Sequence, residues 1–402
     1  MIQYRKLLAG TTCLSMCAAL GAIRAASPAP VADQARGSAQ VPTFQVDPLW
    51  PKPLPNHWIL GSVTGVWVDA KDHIWLVHRG LASLTARTEA GLATMPPTAE
   101  TCCAPAPPVL EFDQAGTLVS HWGGPGFGYD WPRTPAGIAF DAKGHVWIGG
   151  TEPEASGLGG ASQQPLPQRD SHLIKFTRAG KVLLQIGRAG KSEGGYSETT
   201  LDRPATVAVD SASNEVYVAD GHGNRRVVVF DSETGAYKRH WGAYGEKPSE
   251  APVGMYDPDK PPIRQFRVVS CVRIGKDGLV YVGDRQNDRI QVFKKDGTFV
   301  KEAFVSKSTL GEGAVWDLAF SADPQQRFLF VADGSDQKVW VLRRDTLEVI
   351  SSVGAGGRWP GHFYGVGSVA VDSKGNLYTG ETKEGKRLQK FLFKGLGAGG
   401  RS

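Results

Sequence analysis

Residues 216–230 read VYVADGHGNRRVVVF, and residues 280–293 read VYVGDRQNDRIQVF. In both stretches an apolar run ends in aspartate, a short polar turn follows, and a second apolar run begins. In both, an asparagine lies two residues before an arginine, and a phenylalanine lies four residues after that arginine. β-Branched and aromatic runs around a polar turn are typical of paired strands. The two stretches therefore predict the same pair of adjacent strands, used twice.

The pattern around these stretches returns along the chain as an apolar strand, a small turn, a second apolar strand and a charged loop. The six copies cover residues 65–78, 137–150, 206–220, 271–284, 317–333 and 368–381. Third and fourth strand-like segments follow each copy, except that the last copy has no fourth. The segment Thr43–Trp50, which precedes the first copy, can supply that strand. Because a closed ring leaves no open sheet edge, the sequence predicts an all-β, six-bladed β-propeller whose N-terminal strand closes the last blade.

The N-terminal segment is predicted to be a targeting signal. Arg5 and Lys6 precede a mostly apolar stretch that ends near Ala25 and Ala26, a pattern typical of a cleaved signal peptide. No later stretch is apolar enough for a membrane span, so we expect a periplasmic or secreted protein. The predicted divisions are a signal peptide over 1–26, a linker over 27–42, the propeller over 43–395 and a flexible tail over 396–402.

Composition and cysteine spacing exclude several function classes. The net charge of +5 is small for 402 residues, so we expect no nucleic-acid partner. Separately, we expect the protein to be a monomer. Cys102, Cys103 and Cys271 lie beyond the predicted cleavage site, without the Cys-x-x-Cys spacing of a redox pair. The adjacent Cys102 and Cys103 form either a vicinal disulfide or two separate thiols. We expect no cofactor.

The two opening stretches resemble the NHL repeat, which implies a six-bladed propeller. Within that family the chain is similar to the peptidyl-α-hydroxyglycine α-amidating lyases, through residues 77–80, 216–230, 240–242 and 280–293. The resemblance implies that Arg79 and Arg285 match active-site arginines of those lyases. It also places His222 where the lyases have a tyrosine, and Ser368 where they have an acidic residue linked to calcium.

The zinc site of the lyases does not carry over. Those enzymes hold zinc with three histidines, and the matching positions here are Ala136, Val269 and Gly367. None of these side chains can bind zinc, which is held by nitrogen, sulfur or carboxylate ligands. We therefore expect no metal site.

Polar residues that follow the second strands are predicted to surround one end of the channel. A ring of arginine, histidine and aspartate side chains at a channel mouth suits an anionic or polar ligand. The alternative is that these groups only pair with each other and cap turns. The predicted ligand-binding residues are His78, Arg79, Asp220, His222, Asp284 and Arg285.

The function predicted first is an exported NHL-repeat propeller that acts as a ligand-binding or protein-interaction scaffold on its loop-rich face. Its expected partner is a small anionic or peptide ligand, or a protein. The alternatives are an enzyme related to the amidating lyases, which cleaves a C–N or C–O bond, and a lactonase-like propeller hydrolase. The sequence indicates no catalytic residues, so the presence of an activity stays open.

Overall fold

A computed structural model of the chain describes residues 40–85, 87–151 and 169–398. Within these ranges the strands form six four-stranded antiparallel sheets and one short two-stranded sheet. Each large sheet is one blade, and its strands are numbered here from the channel outward. The first strands of neighbouring blades contact one another around the whole ring, including blade six with blade one. The structure thus confirms the six-bladed propeller.

The strands of the first three blades follow the predicted repeats. Blade one contains Val63–Val68, Ile74–His78, Val109–Phe112 and Leu118–Trp122. Blade two contains Pro135–Phe140, Val146–Gly150, His172–Phe176 and Val182–Gly187. Blade three contains Val207–Asp210, Glu215–Asp220, Arg226–Asp231 and Tyr237–Trp241.

The last three blades have the same order. Blade four contains Val269–Ile274, Val280–Asp284, Arg289–Phe293 and Phe299–Phe304. Blade five contains Asp317–Phe320, Phe328–Asp333, Lys338–Arg343 and Val349–Val353. Blade six contains Val366–Val371, Leu377–Glu381, Leu388–Ala398 and the N-terminal strand Gln40–Asp47.

The ring closes through the pairing of the N-terminal strand with the third strand of blade six. Val46 pairs with Phe391 and Phe44 pairs with Phe393, so the N-terminal strand closes the last blade as the sequence predicts. The pairing also continues three residues beyond the predicted propeller limits of 43 and 395, from Pro42 to Gln40. The glycine-rich end of the chain reads as a tail, but a strand ladder is made by backbone groups and does not need apolar side chains there.

The core lies between the blades. Each of six clusters of buried apolar side chains combines residues from two neighbouring blades. One of them joins Trp75 of blade one to Ile148 and Phe176 of blade two. This packing follows from the alternation of side chains along a strand, which turns one set toward each neighbouring blade.

The long insertion after the second strand of blade one folds back along that blade. It contains the 3-10 helices Gly80–Ser83 and Gly91–Ala93, and its segment Ala104–Pro105 pairs with Trp58–Ile59. Cys102 and Cys103 form one disulfide bond within it. Two further 3-10 helices are Ala243–Gly245 and Arg285–Asn287.

The predicted signal peptide over 1–26 lies outside the described residues, and so does most of the predicted linker. Across the described ranges, no helix has the length and apolar character needed to cross a bilayer.

Candidate functional site

The loops after the second strands meet at one end of the channel, where they line a cavity of about 80 Å³. The first strands form its walls and supply small side chains, such as Thr64, Ala136 and Ser270. The loop residues at its mouth are Arg79, Thr151, His222, Arg285, Thr382 and Lys383. Three of the six predicted ligand-binding residues, namely Arg79, His222 and Arg285, therefore line one space.

Positive charge dominates this cavity. Four of its lining side chains are cationic, from Arg79, Arg273, Arg285 and Lys383, while Asp317 contributes the one carboxylate among the lining residues. Between protein walls, charges interact more strongly than they do in bulk water. The cavity therefore favours an anion.

The two predicted arginines come from blades one and four, which are opposite in a ring of six. Arg79 Nη2 donates to Thr151 Oγ1 over 3.2 Å. The Arg285 guanidinium lies 4.5 Å from the ring centroid of Trp316 and pairs with Glu312. These contacts hold the two guanidinium groups in the wall of the cavity.

His222 is half-buried between these cations. Burial holds its pKa well below the ordinary value of 6.5, and the charges of Arg285, Arg203 and Arg79 lower the pKa further. The imidazole is therefore neutral near pH 7, with one nitrogen that donates and one that accepts a hydrogen bond. An anion in the cavity would offset the arginine charges and raise the pKa of this ring.

An ion pair forms the floor of the cavity. Arg273 Nη2 lies 2.5 Å from Asp317 Oδ1, and Arg273 Nε donates to the carbonyl oxygen of Leu318. Asp317 Oδ2 accepts the backbone N–H of Val369 from blade six. Arg273 also lines a second, mostly apolar space of about 260 Å³ farther along the channel. The pair thus separates a cationic chamber from an apolar one.

The other three predicted site residues lie inside the blades and not in the cavity. His78 is fully buried, and its Nδ1 accepts the backbone N–H groups of Gly61 and Gly80. Its Nε2 therefore donates to the Pro107 carbonyl oxygen, over 2.9 Å. Burial lowers the pKa of His78 to about 4. This imidazole ties the insertion of blade one to its strands.

Asp220 and Asp284 hold the repeat signature together. Asp220 Oδ2 lies 2.9 Å from Arg226 Nε, and Asp284 Oδ2 lies 2.9 Å from Arg289 Nε. All four side chains are buried, and Asn224 also donates to Asp220. Both carboxylates therefore cap turns, as the alternative interpretation of the sequence proposes.

The structure corrects one of the three positions that the sequence matched to zinc-binding histidines, namely Val269. Ala136 and Gly367 line the cavity, but Val269 is buried within the blade and Ser270 lines the cavity in its place. Side chains alternate along a strand, so a shift of one residue exchanges the two faces. Ser270 Oγ donates to the Val315 carbonyl oxygen over 2.7 Å. The correction therefore introduces no histidine ligand.

A cluster of possible metal ligands elsewhere in the described chain is already filled by a cation. Asp69, His73 and Glu111 approach one another near the first turn of blade one. The Arg178 guanidinium lies 2.6 Å from Asp69 and also pairs with Glu111. This group is therefore an ion-pair cluster that joins blades one and two.

Comparisons with known proteins agree with the propeller. The NHL repeat family model matches residues 201–230. The peptidylglycine alpha-amidating monooxygenase of Rattus norvegicus is 26% identical over 70% of this chain and 25% of its own length. NHL repeat-containing protein 3 of Mus musculus is 26% identical over 61% of this chain and 58% of its own.

The chain spans a quarter or less of the amidating monooxygenases that it matches, including one of Xenopus laevis that is 30% identical over 42% of this chain and 16% of its own length. A solved structure of a protein of unknown function from Bacteroides thetaiotaomicron VPI-5482 aligns with a TM-score of 0.47 and 12% identity, and it covers 84% of this chain and 70% of that one.

Proposed function

We propose that this six-bladed NHL-repeat propeller is an exported binding protein whose cationic channel mouth takes the anionic group of a small or peptide ligand. The observation that carries the proposal is that Arg79, His222 and Arg285, from three different blades, line one cavity. Cationic donors that surround a space of this size recognise a carboxylate, phosphate or sulfate group through charge-assisted hydrogen bonds.

The proposal gives each of these residues a distinct task. Arg79 and Arg285 face the ligand from opposite blades, and each contributes a contact worth about 1.5–3 kcal/mol. The neutral His222 ring donates one further hydrogen bond, or takes up a proton when the anion arrives. The Arg273–Asp317 floor stops the ligand halfway along the channel.

A thermal-shift series at constant ionic strength tests this proposal. The anions are succinate, phosphate and sulfate, and succinamide serves as the uncharged control. A ligand that binds only the folded state raises the melting temperature in proportion to the logarithm of its concentration. We expect at least one anion to do so and succinamide not to. If no anion stabilises the protein more than chloride does, the proposed anion site is wrong.

A second candidate is a lyase reaction, favoured by the two arginines in the cavity and by the similarity to amidating monooxygenases. In this candidate the arginines hold the substrate and His222 takes the proton of the α-hydroxyl group. The hydroxyl-bearing carbon becomes a carbonyl as its bond to the amide nitrogen breaks, and the proton passes to that nitrogen. The test is incubation with a peptide that ends in α-hydroxyglycine, with and without a chelator. The binding proposal expects no turnover in either arm, whereas turnover that His222→Ala abolishes would establish the lyase.

A further inference from the structure

A second cavity, of about 330 Å³, lies beside the anion site between two inter-blade loops. Its lining combines apolar residues, among them Met255, Ile263 and Phe304, with charged residues. The charged residues are Asp257, Lys260, Arg267, Arg289 and Lys307. One water molecule takes about 30 Å³ in the liquid, so this space is large enough for an apolar side chain. The signature residues Asn287 and Arg289 border this cavity, which the anion site does not use.

One short turn joins the two cavities. In the 3-10 helix Arg285–Asn287, Arg285 lines the anion site and Asn287 lines the second cavity. The Cα atoms of residues two apart in sequence are separated by no more than about 7 Å. The two spaces therefore border the same short turn.

The walls of the second cavity are fixed by hydrogen bonds. The buried Arg267 donates from Nε to Asn287 Oδ1 over 2.7 Å and from Nη2 to the Met255 carbonyl oxygen over 3.0 Å. Tyr256 Oη donates to the Lys307 carbonyl oxygen over 2.8 Å, which joins the two loops. Such contacts hold a binding site ready before the ligand arrives.

Exposed apolar side chains occur in the inter-blade loop that lines this cavity and in the next two inter-blade loops. Met255 is 96% exposed, and Leu310 and Trp359 in the next two inter-blade loops are 62% and 77% exposed. Leu310 lies two residues before Glu312, the partner of Arg285. Arg358, the neighbour of Trp359, contacts Glu384 in the loop of blade six that follows Lys383. Tryptophan, methionine and arginine are enriched where proteins bind one another.

We propose that the second cavity is an apolar subsite for a polypeptide segment that places an acidic side chain in the anion site. The inference rests on the proposed anion site and names its ligand class. A small acid could fill both cavities, but it would leave Leu310 and Trp359 uncovered, whereas a polypeptide covers them. Same-face side chains of an extended chain lie about 6.8 Å apart, which suits the two adjacent spaces.

The test measures the affinity of capped pentapeptides by calorimetry. The first peptide carries glutamate and phenylalanine two positions apart, in both orders, with alanine elsewhere. The second replaces phenylalanine with alanine, the third replaces glutamate with glutamine, and propionate serves as the anion alone. We expect the first peptide, in one order, to bind at least tenfold tighter than the second, and the third to bind weakest.

The matched variants are Met255→Ser with Ile263→Ser for the subsite, and Phe127→Ser for a fully exposed apolar residue elsewhere. In the Met255→Ser with Ile263→Ser variant, the phenylalanine peptide should bind less than threefold tighter than the alanine peptide, and the affinity for propionate should be unchanged. In Phe127→Ser, both the ratio of peptide affinities and the affinity for propionate should equal those of the wild type. If the pair lowers the melting temperature, Met255→Ser alone is used, because that side chain is exposed.

The outcomes separate the two claims. If propionate and the glutamate peptides all fail to bind the wild type, the anion site and the inference are both wrong. If they bind but phenylalanine adds no affinity, or adds it equally in the subsite variant, the anion site stands and the apolar subsite is wrong.

Discussion

The carboxylate of Glu312 lies 2.9 Å from Nη2 of Arg285 at the mouth of the channel. The two side chains differ in exposure, at 39% for Glu312 and 8% for Arg285. Glu312 is the exposed member of the pair, so its carboxylate can turn into solvent when another anion takes its place beside the buried guanidinium. Glu312 is therefore an internal competitor for the anion that Arg285 would bind.

Glu312→Gln should strengthen anion binding. The amide removes a negative charge next to Arg285, so a ligand anion meets less repulsion and displaces a weaker partner. We expect sulfate to bind about three- to tenfold tighter, an effect of roughly 1 kcal/mol. The control is Glu348→Gln in a turn of blade five, between its third and fourth strands. Equal affinities in both variants and the wild type would show that Glu312 does not compete.

Anion affinity should depend on pH through His222. The pKa of this ring lies well below 6.5 in the free protein, and a bound anion raises it. Binding therefore takes up a proton, and affinity rises as pH falls through the interval between the free and bound pKa values. Sulfate is the ligand of choice because it stays ionised throughout. Its affinity should increase below pH 6.5 in the wild type and stay level in His222→Gln.

Stability at alkaline pH should depend on Asp288. This side chain is buried at the junction of blades four and five, where its Oδ1 accepts the Ala314 N–H. Burial, followed by the negative charges of Asp333, Asp284 and Asp336, raises its pKa to about 8. In the unfolded chain the Asp288 carboxyl group ionises near pH 3.9. Between that pH and about 8 the unfolded state carries the charge more readily than the folded state does, so a rise in pH favours unfolding.

Asp288→Asn removes this ionisation. Its melting temperature should exceed that of the wild type by a larger margin at pH 9 than at pH 5. The exposed Asp259→Asn serves as the control and should show no such change of margin. A margin for Asp288→Asn that is independent of pH would mean that Asp288 does not titrate in the folded protein.

Ring closure should contribute strongly to stability. The Phe44 ring lies 5.7 Å from Phe330 of blade five and 5.9 Å from Phe393 of blade six. Phe44→Ala should lower the free energy of unfolding by about 2–3 kcal/mol, somewhat less than for a fully buried phenylalanine. Denaturant melts of this variant and of Leu49→Ala, which is 85% exposed, provide the comparison. Similar losses in both would argue against closure by this strand.

The fold could be predicted because a strand repeat is a local pattern. The Asp–Asn–Arg signature of Asp220 and Asp284 marked the turns, and the missing fourth strand of the last copy indicated ring closure. The exact limits could not be predicted, since backbone pairing extends past the apolar residues to Gln40 and Ala398.

The site was only partly predictable from the sequence. Arg79, His222 and Arg285 follow the second strands of their repeats. Loops at equivalent positions of the repeats lie at the same end of the channel, so the sequence could predict that these residues meet. His78 directly precedes Arg79, but alternation turns its ring into the blade. Arg273 was missed because it lies in a first strand and not in a loop.

A signal for Arg273 did exist in the repeat alignment. The equivalent positions in four other blades are Ala139, Ala208, Ala319 and Ala370. A long charged side chain where most blades have alanine has to extend into the channel. Its pairing with Asp317, which lies in the neighbouring blade, depends on the closed ring and cannot be read from spacing along the chain.

The most direct test is calorimetric titration of the best-binding anion into the wild type and into the double variant Arg79→Ala with Arg285→Ala. Two charge-assisted contacts of about 1.5–3 kcal/mol each predict at least a hundredfold loss of affinity. The melting temperature of the double variant is measured as well, because Arg285 is buried against Trp316 and affinities are compared only between folded proteins. Equal affinities of the wild type and a folded double variant would contradict an anion site at the channel mouth.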